Sequence, residues 1–225
     1  MPTRFVTYKS AADVVTAIAA NQGPTLGMSP IRLVNALREK NPQLQAIAMS
    51  CPQRNHMAPG LKTLKEQGVD GIIMDLRNNG GGSLYDVVQM VGFFIPDGPI
   101  VQVKDREGNP TILRDRDRTV LYDGPLAVMV NEFSASASEI FAAAIQDYGR
   151  GIIVGSTSTY GKGTVQRNIG LENTGTLFNK DATELGTIKL TLQKFYRING
   201  GSTQLKGVTP NIIIPDQYET LKYRE

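Results

Sequence analysis

Two short apolar runs, GIIMDL at 71–76 and PLAVMV at 125–130, constrain this chain most. A strand wetted on one face alternates apolar and polar residues, whereas a short continuous apolar run marks a strand covered on both faces. Each run leads into a loop and then a helix-like segment. After the first comes RNNGGGS (77–83), a loop because three glycines cannot sustain regular structure. The helix beyond it places Val87, Val91, Phe94 and Ile95 on one face. After the second come Ser134, Ser136 and Ser138, then an apolar helix running to about Tyr148 and ended by Gly149 to Gly151. Further strands are predicted at Ile100–Val103, Thr111–Leu113 and 152–154, and 187–198 alternates like a half-exposed strand. Strand and helix in alternation predict an α/β fold.

Residues 1–59 read differently. Ser29-Pro30 is a helix start followed by Ile31, Val34 and Leu37 at helical spacing, and Ala11 to Ala20 can form a shorter helix. The stretch 50–60 reads as a loop, Leu61 to Gln67 as a helix stopped by Gly68, and no strand is evident ahead of it. This gives an atypical N-terminal segment (1–59), a core (60–216) and a tail (217–225).

Composition removes several functions. The 225 residues suffice for one large domain or two small ones. With a net charge of +3 and no run of Lys or Arg, nucleic acid is not an expected partner. The single Cys51 forms no intrachain disulfide, and no Cys/His ligand set exists, so a structural zinc site is not expected. The N-terminus lacks the apolar run of a signal peptide, and no 18-residue apolar stretch occurs.

The serine cluster has two readings. Ser136-Ala137-Ser138-Glu139 fits a capping box, in which the hydroxyl accepts from a backbone N–H and Glu139 reaches back. The same geometry suits a nucleophile, because free N–H groups and the positive helix end favour a developing oxyanion. Spacing alone does not choose among the three serines.

Lys162 sits between Gly161 and Gly163. A phosphate loop needs four residues between its first Gly and the Gly-Lys pair, then Ser or Thr; the five residues after Gly155 and the glycine after Lys162 argue against a nucleotide. The ordinary alternative is a solvated lysine in a turn. A general base is the chemical one: a free amine titrates near ~10.4, and desolvation favours its neutral form. Gln166, four residues on in a predicted strand, faces the same side and can orient the amine.

The triple glycine can aim an N–H into an oxyanion hole or simply turn the chain. Asp147 sits near a helix C-terminus, where a negative charge costs roughly 0.3–1 kcal/mol. A local ion pair with Arg150 offsets that, and the three turns from Ser136 put both on one helix face.

Four segments, DGIIMDLRNNGGGSL (70–84), NEFSASASEIFAAAIQDYGR (131–150), YGKGTVQ (160–166) and LGTIKLTLQKFYRINGGSTQLKGVTPNI (185–212), together resemble the tail-specific, or carboxy-terminal processing, serine proteases. The resemblance implies an α/β core of crotonase-like (ClpP/crotonase-type) topology, here without an intact PDZ domain. It implies a Ser/Lys dyad of Ser136 and Lys162, supported by Gln166 and Asp147, with Ala137 and a glycine such as Gly81 supplying the oxyanion N–H groups. The implied reaction is endoproteolysis, through an acyl-enzyme, of unfolded or tagged polypeptides with apolar C-termini. It needs no metal, cofactor or nucleotide. A membrane-associated adaptor and a periplasmic location belong to the same implication. The lysine loop is one residue longer than the family pattern, so a catalytically impaired, peptide-binding remnant stands as the alternative. A crotonase-type thioester enzyme ranks last, because it gives the serine and lysine no task.

Overall fold

A computed structural model describes residues 4–6, 46–49, 54–66, 71–171, 186–215 and 218. The helices expected at 11–20 and after Pro30, and most of the tail at 217–225, lie outside these residues.

One sheet has six strands: β1 (Arg4–Val6), β2 (Ala46–Met49), β3 (Ile72–Asp75), β6 (Leu126–Val130), β7 (Ile152–Gly155) and β10 (Ile212–Ile213), in that spatial order. β1 runs antiparallel to β2, and every other neighbouring pair is parallel. The second sheet is antiparallel, in the order β5 (Pro110–Leu113), β4 (Val101–Lys104), β9 (Thr187–Tyr196) and β8 (Thr164–Gly170). Among the described residues three helices accompany them: α1 (Arg54–Glu66), α2 (Leu84–Gly92) and α3 (Ala137–Asp147). None among the described residues is long and apolar enough to cross a membrane.

The two apolar runs are β3 and β6, and every residue in both strands is buried. They pair in parallel at the centre of the sheet, as continuous apolar strands do. Helices α2 and α3 pack on each other. Phe94, just past α2, meets Phe141 of α3 edge to face with ring centroids 5.9 Å apart, a geometry that aromatic quadrupoles favour.

Three expectations change. Residues 54–60 are not loop but the first turns of α1, despite Pro59 within the helix. Met57, Leu61 and Leu64 recur at helical spacing and are fully buried, and that burial outweighs the hydrogen bond lost at the proline. A strand does precede α1: β2 pairs in parallel with β3, carrying the sheet into the N-terminal region. Strand β9 is not half-exposed; it is open on both faces from Thr187 to Leu192, and only Phe195 is buried.

Candidate active site

Strands β3, β6 and β7 are consecutive parallel neighbours. The chain therefore leaves all three at the same edge, where open α/β sheets form their ligand crevices. The glycine loop follows β3, the serine cluster follows β6, and the lysine loop follows β7. Segments far apart in sequence meet because of this order.

The loops after β3 and β6 are clasped side by side. Asn78 N–H donates to Asn131 Oδ1, and Asn131 Nδ2 donates to Asn78 Oδ1, both at 2.9 Å. The carbonyl of Asn79 accepts from Ala135 N–H and from the Ser138 hydroxyl, each at 3.0 Å. Ser134 Oγ donates to Leu76 O at 2.8 Å and accepts from Asn131 N–H. Ser134 and Ser138 are thus buried and fastened to the neighbouring loop.

Ser136 differs from both. It is half-buried and sits at φ 57°, ψ −113°. That conformation is costly for a residue with a β-carbon, by about 1–3 kcal/mol, and persists only where the surroundings enforce it. The G-x-S-x-G signature is absent, but a sharp strand-to-helix turn presenting a serine is present.

Glu139 enforces the turn and does more. Its Oε2 accepts from Ser136 N–H at 2.8 Å and from Lys162 N–H at 2.9 Å. Its Oε1 accepts from the Thr159 hydroxyl at 2.6 Å and from Gly161 N–H at 2.7 Å. The residue is fully buried. Burial pushes its carboxyl above the ordinary value, while the four donated hydrogen bonds pull the other way. One carboxylate thereby joins the serine turn to the lysine loop.

The lysine loop is stitched from its other side as well. Thr203 Oγ1 donates to Lys162 O at 3.0 Å, Leu205 N–H to Gly161 O at 2.7 Å, and Val208 N–H to Thr159 Oγ1 at 2.8 Å. Lys162 is half-buried as a residue, but its Nζ donates to Gln166 Oε1 at 3.1 Å in an exposed hydrogen bond. Gln166 Nε2 in turn lies 3.4 Å from Thr191 Oγ1, directly across the β8–β9 pairing.

Gly81 lies against the serine. It has φ +99°, and a β-carbon there would come within 2.8 Å of Ser136 Cβ and 2.9 Å of Ala137 N. Its N–H donates to Asn79 Oδ1 at 2.9 Å, so an entering carbonyl oxygen would have to displace that side chain to reach this donor. Ala137 begins α3, where the first N–H groups lack intrahelical partners.

Asp147 is not beside these groups. It closes the opposite end of α3, about 16 Å along the axis from Ser136 at 1.5 Å per residue. Its partner is Arg197, not Arg150: Arg197 donates through NH2 at 2.6 Å and Nε at 3.0 Å, and Asn199 Nδ2 adds a third bond. Arg150 instead donates to the carbonyls of Phe94, Tyr122 and Gly124. Those three carbonyls hold Arg150 there, leaving Asp147 to the chain that follows β9.

Sequence reasoning missed Asn79, Asn131, Thr159 and Thr203 altogether. It read Glu139 only as a cap. The S-x-x-E spacing was a visible signal, but the second set of donors comes from a loop whose proximity only the strand order reveals.

The sequence pattern of Peptidase family S41 matches residues 43–214. The chain is 50% identical over 165 residues to the tail-specific protease of Haemophilus influenzae, an overlap covering 73% of this chain and 23% of that protein. It is 31% identical over 185 residues to the carboxy-terminal processing protease CtpA of Bacillus subtilis, covering 80% of this chain and 36% of that one. The chain therefore spans only about a quarter to a third of these relatives. Among solved structures, the photosystem II D1 C-terminal processing protease superposes with a TM-score of 0.59 at 27% identity, covering 75% of this chain and 41% of its own.

Proposed function

This chain is a member of peptidase family S41, and on that premise we propose that it carries the catalytic core of a serine endopeptidase acting near polypeptide C-termini. The observation that carries the proposal is the shared Glu139 oxygen, which draws the backbones of Ser136 and Lys162 together.

In this reading the neutral Lys162 amine takes the Ser136 proton as Oγ attacks a peptide carbonyl. A peptide lying over the exposed amine would displace water from it. The oxyanion is held by Ala137 N–H at the positive end of α3, joined by Gly81 N–H once the Asn79 carboxamide gives way. The proton passes to the leaving amine, leaving an ester on Ser136, and water then releases the new C-terminus by the same base. Gln166 orients the amine. Asp147 acts through Arg197, which follows directly on β9, the strand paired with the one bearing Gln166.

The crotonase-like topology, unfolded or tagged substrates with apolar tails, a membrane-associated adaptor and a periplasmic site of action belong to this proposal, and rest on resemblance. One observation favours the non-catalytic alternative: the hydrogen bond from the Lys162 amine to Gln166 is exposed to solvent. Hydrolysis of an unstructured polypeptide with an apolar C-terminus, followed by mass spectrometry, decides between them. Ser136→Ala and Lys162→Ala are each expected to abolish cutting without unfolding the chain. Unchanged cutting by both variants would overturn the dyad, and no cutting by the native chain would favour the remnant.

A further inference from the structure

Beside the serine turn lies a cavity of about 320 Å³, at the small end of the range for ligand pockets. Its floor is apolar, formed by Leu76, Val87, Met90 and Phe141, all buried. Asp86 also lines it and is half-buried. Two further lining residues are Gly81 and Ala137, the pair whose N–H groups the proposed reaction uses to hold the carbonyl oxygen. The side chain on the carbon next to that carbonyl projects within a few ångströms of its oxygen. A carbonyl seated between Gly81 and Ala137 would therefore leave that side chain at the mouth of this cavity.

We propose that the cavity receives the residue on the N-terminal side of the cut, and that Asp86 makes it a pocket for long apolar or cationic side chains and against acidic ones. The inference rests on the peptidase reading above. An apolar stem of Leu, Met or Lys covers the floor, and the removal of that surface from water favours binding. A Lys or Arg tip reaches the carboxylate, snorkelling from the apolar stem. A Glu or Asp tip meets a like charge. The effect is a bias and not an exclusion, for two reasons. Asp86 is partly wetted, so its field is screened. It also sits in the first turn of α2, whose positive end offsets part of its charge.

The test uses the full chain and a set of unstructured peptides, identical except for Gly, Leu, Lys or Glu at the one position before the cut. Relative kcat/KM is read by mass spectrometry. Leu and Lys are expected to exceed Gly, and Lys to exceed Glu by about fivefold at low salt, with the ratio shrinking as salt rises. Asp86→Asn should bring the Lys-to-Glu ratio close to one, and Asp86→Lys should invert it. Met90→Trp, which fills the cavity, should turn the preference from Leu towards Gly. Thermal midpoints show that each variant is folded. Cutting that ignores the residue at this position, or a Lys-to-Glu ratio unmoved by Asp86→Lys, would overturn the pocket while leaving the peptidase reading intact. Failure of the native chain to cut any peptide would overturn both.

Discussion

Ser136 and Lys162 donate their backbone N–H groups to the same oxygen of Glu139, at 2.8 and 2.9 Å. The strained turn on one loop and the amine-bearing loop on the other are thus held against a single buried atom. The two backbones are brought together by that contact and not by spacing in the chain.

Glu139→Gln keeps the shape but replaces one acceptor oxygen by an NH2 group facing two donors. Buried donors left unpaired cost about 1–3 kcal/mol each. The variant is expected to unfold at lower urea concentration and to lose at least ~10²-fold in kcat, because misplacement by about 1 Å is enough for such a loss. Urea midpoints and single-turnover kinetics check this. A Gln variant as stable and active as the native chain would show that the shared oxygen is dispensable.

The Glu139 carboxyl is raised above 4.5 by burial. The folded state then holds its proton more tightly than the unfolded one. The associated stability is fully present below the unfolded value and is lost as pH climbs through the folded value. Comparing urea midpoints of the native chain and Glu139→Gln across the range upward from pH 4.5 should show the native chain losing this contribution. Carbon-13 titration of the Glu139 carboxyl checks the direction, and a midpoint below 4.5 would contradict it.

Gly81→Ala adds a β-carbon that would meet Ala135 O at 2.7 Å, Ser136 Cβ at 2.8 Å and Ala137 N at 2.9 Å, in a conformation with φ +99°. The serine turn has to move. On the proposed mechanism a loss of ~10²-fold or more in kcat is expected, larger than the change in KM, since the groups disturbed are those that would face the reacting carbonyl. Neighbouring Gly82→Ala meets nothing within 4 Å and serves as the steric control.

Arg197→Ala leaves Asp147, only 9% exposed in its side chain, without its 2.6 Å ion pair. Breaking a buried pair by removing one partner costs about 3–5 kcal/mol, and Asn199 retains part of the compensation. A loss of about 2–4 kcal/mol by denaturant unfolding is expected. If Asp147 acts through β9, kcat also falls in the variant while labelling of Ser136 by an acylating reagent survives.

The central strands and α3 were legible because complete burial leaves an unbroken apolar run, and Gly149 marks the helix end. Ser136, Lys162 and Gln166 were singled out through a resemblance carried by whole segments, and the structure joins the Lys162 amine to Gln166. Helix α1 was not, since Pro59-Gly60 has the local chemistry of a turn, and only the buried trio Met57, Leu61 and Leu64 overrules it. Nor was the Asp147 partner legible, because Arg150 is near in sequence while Arg197 is near in space. Glu139 shows the same limit: its cap role is local, but its hold on Thr159 and Gly161 depends on β6 and β7 lying side by side.

Thr203, Leu205 and Val208 form a seam along the lysine loop. During synthesis the lysine loop therefore emerges well before the residues that hold its far side. A nascent chain carries that loop as a loose end, and it takes its place only after the last stitches have been made.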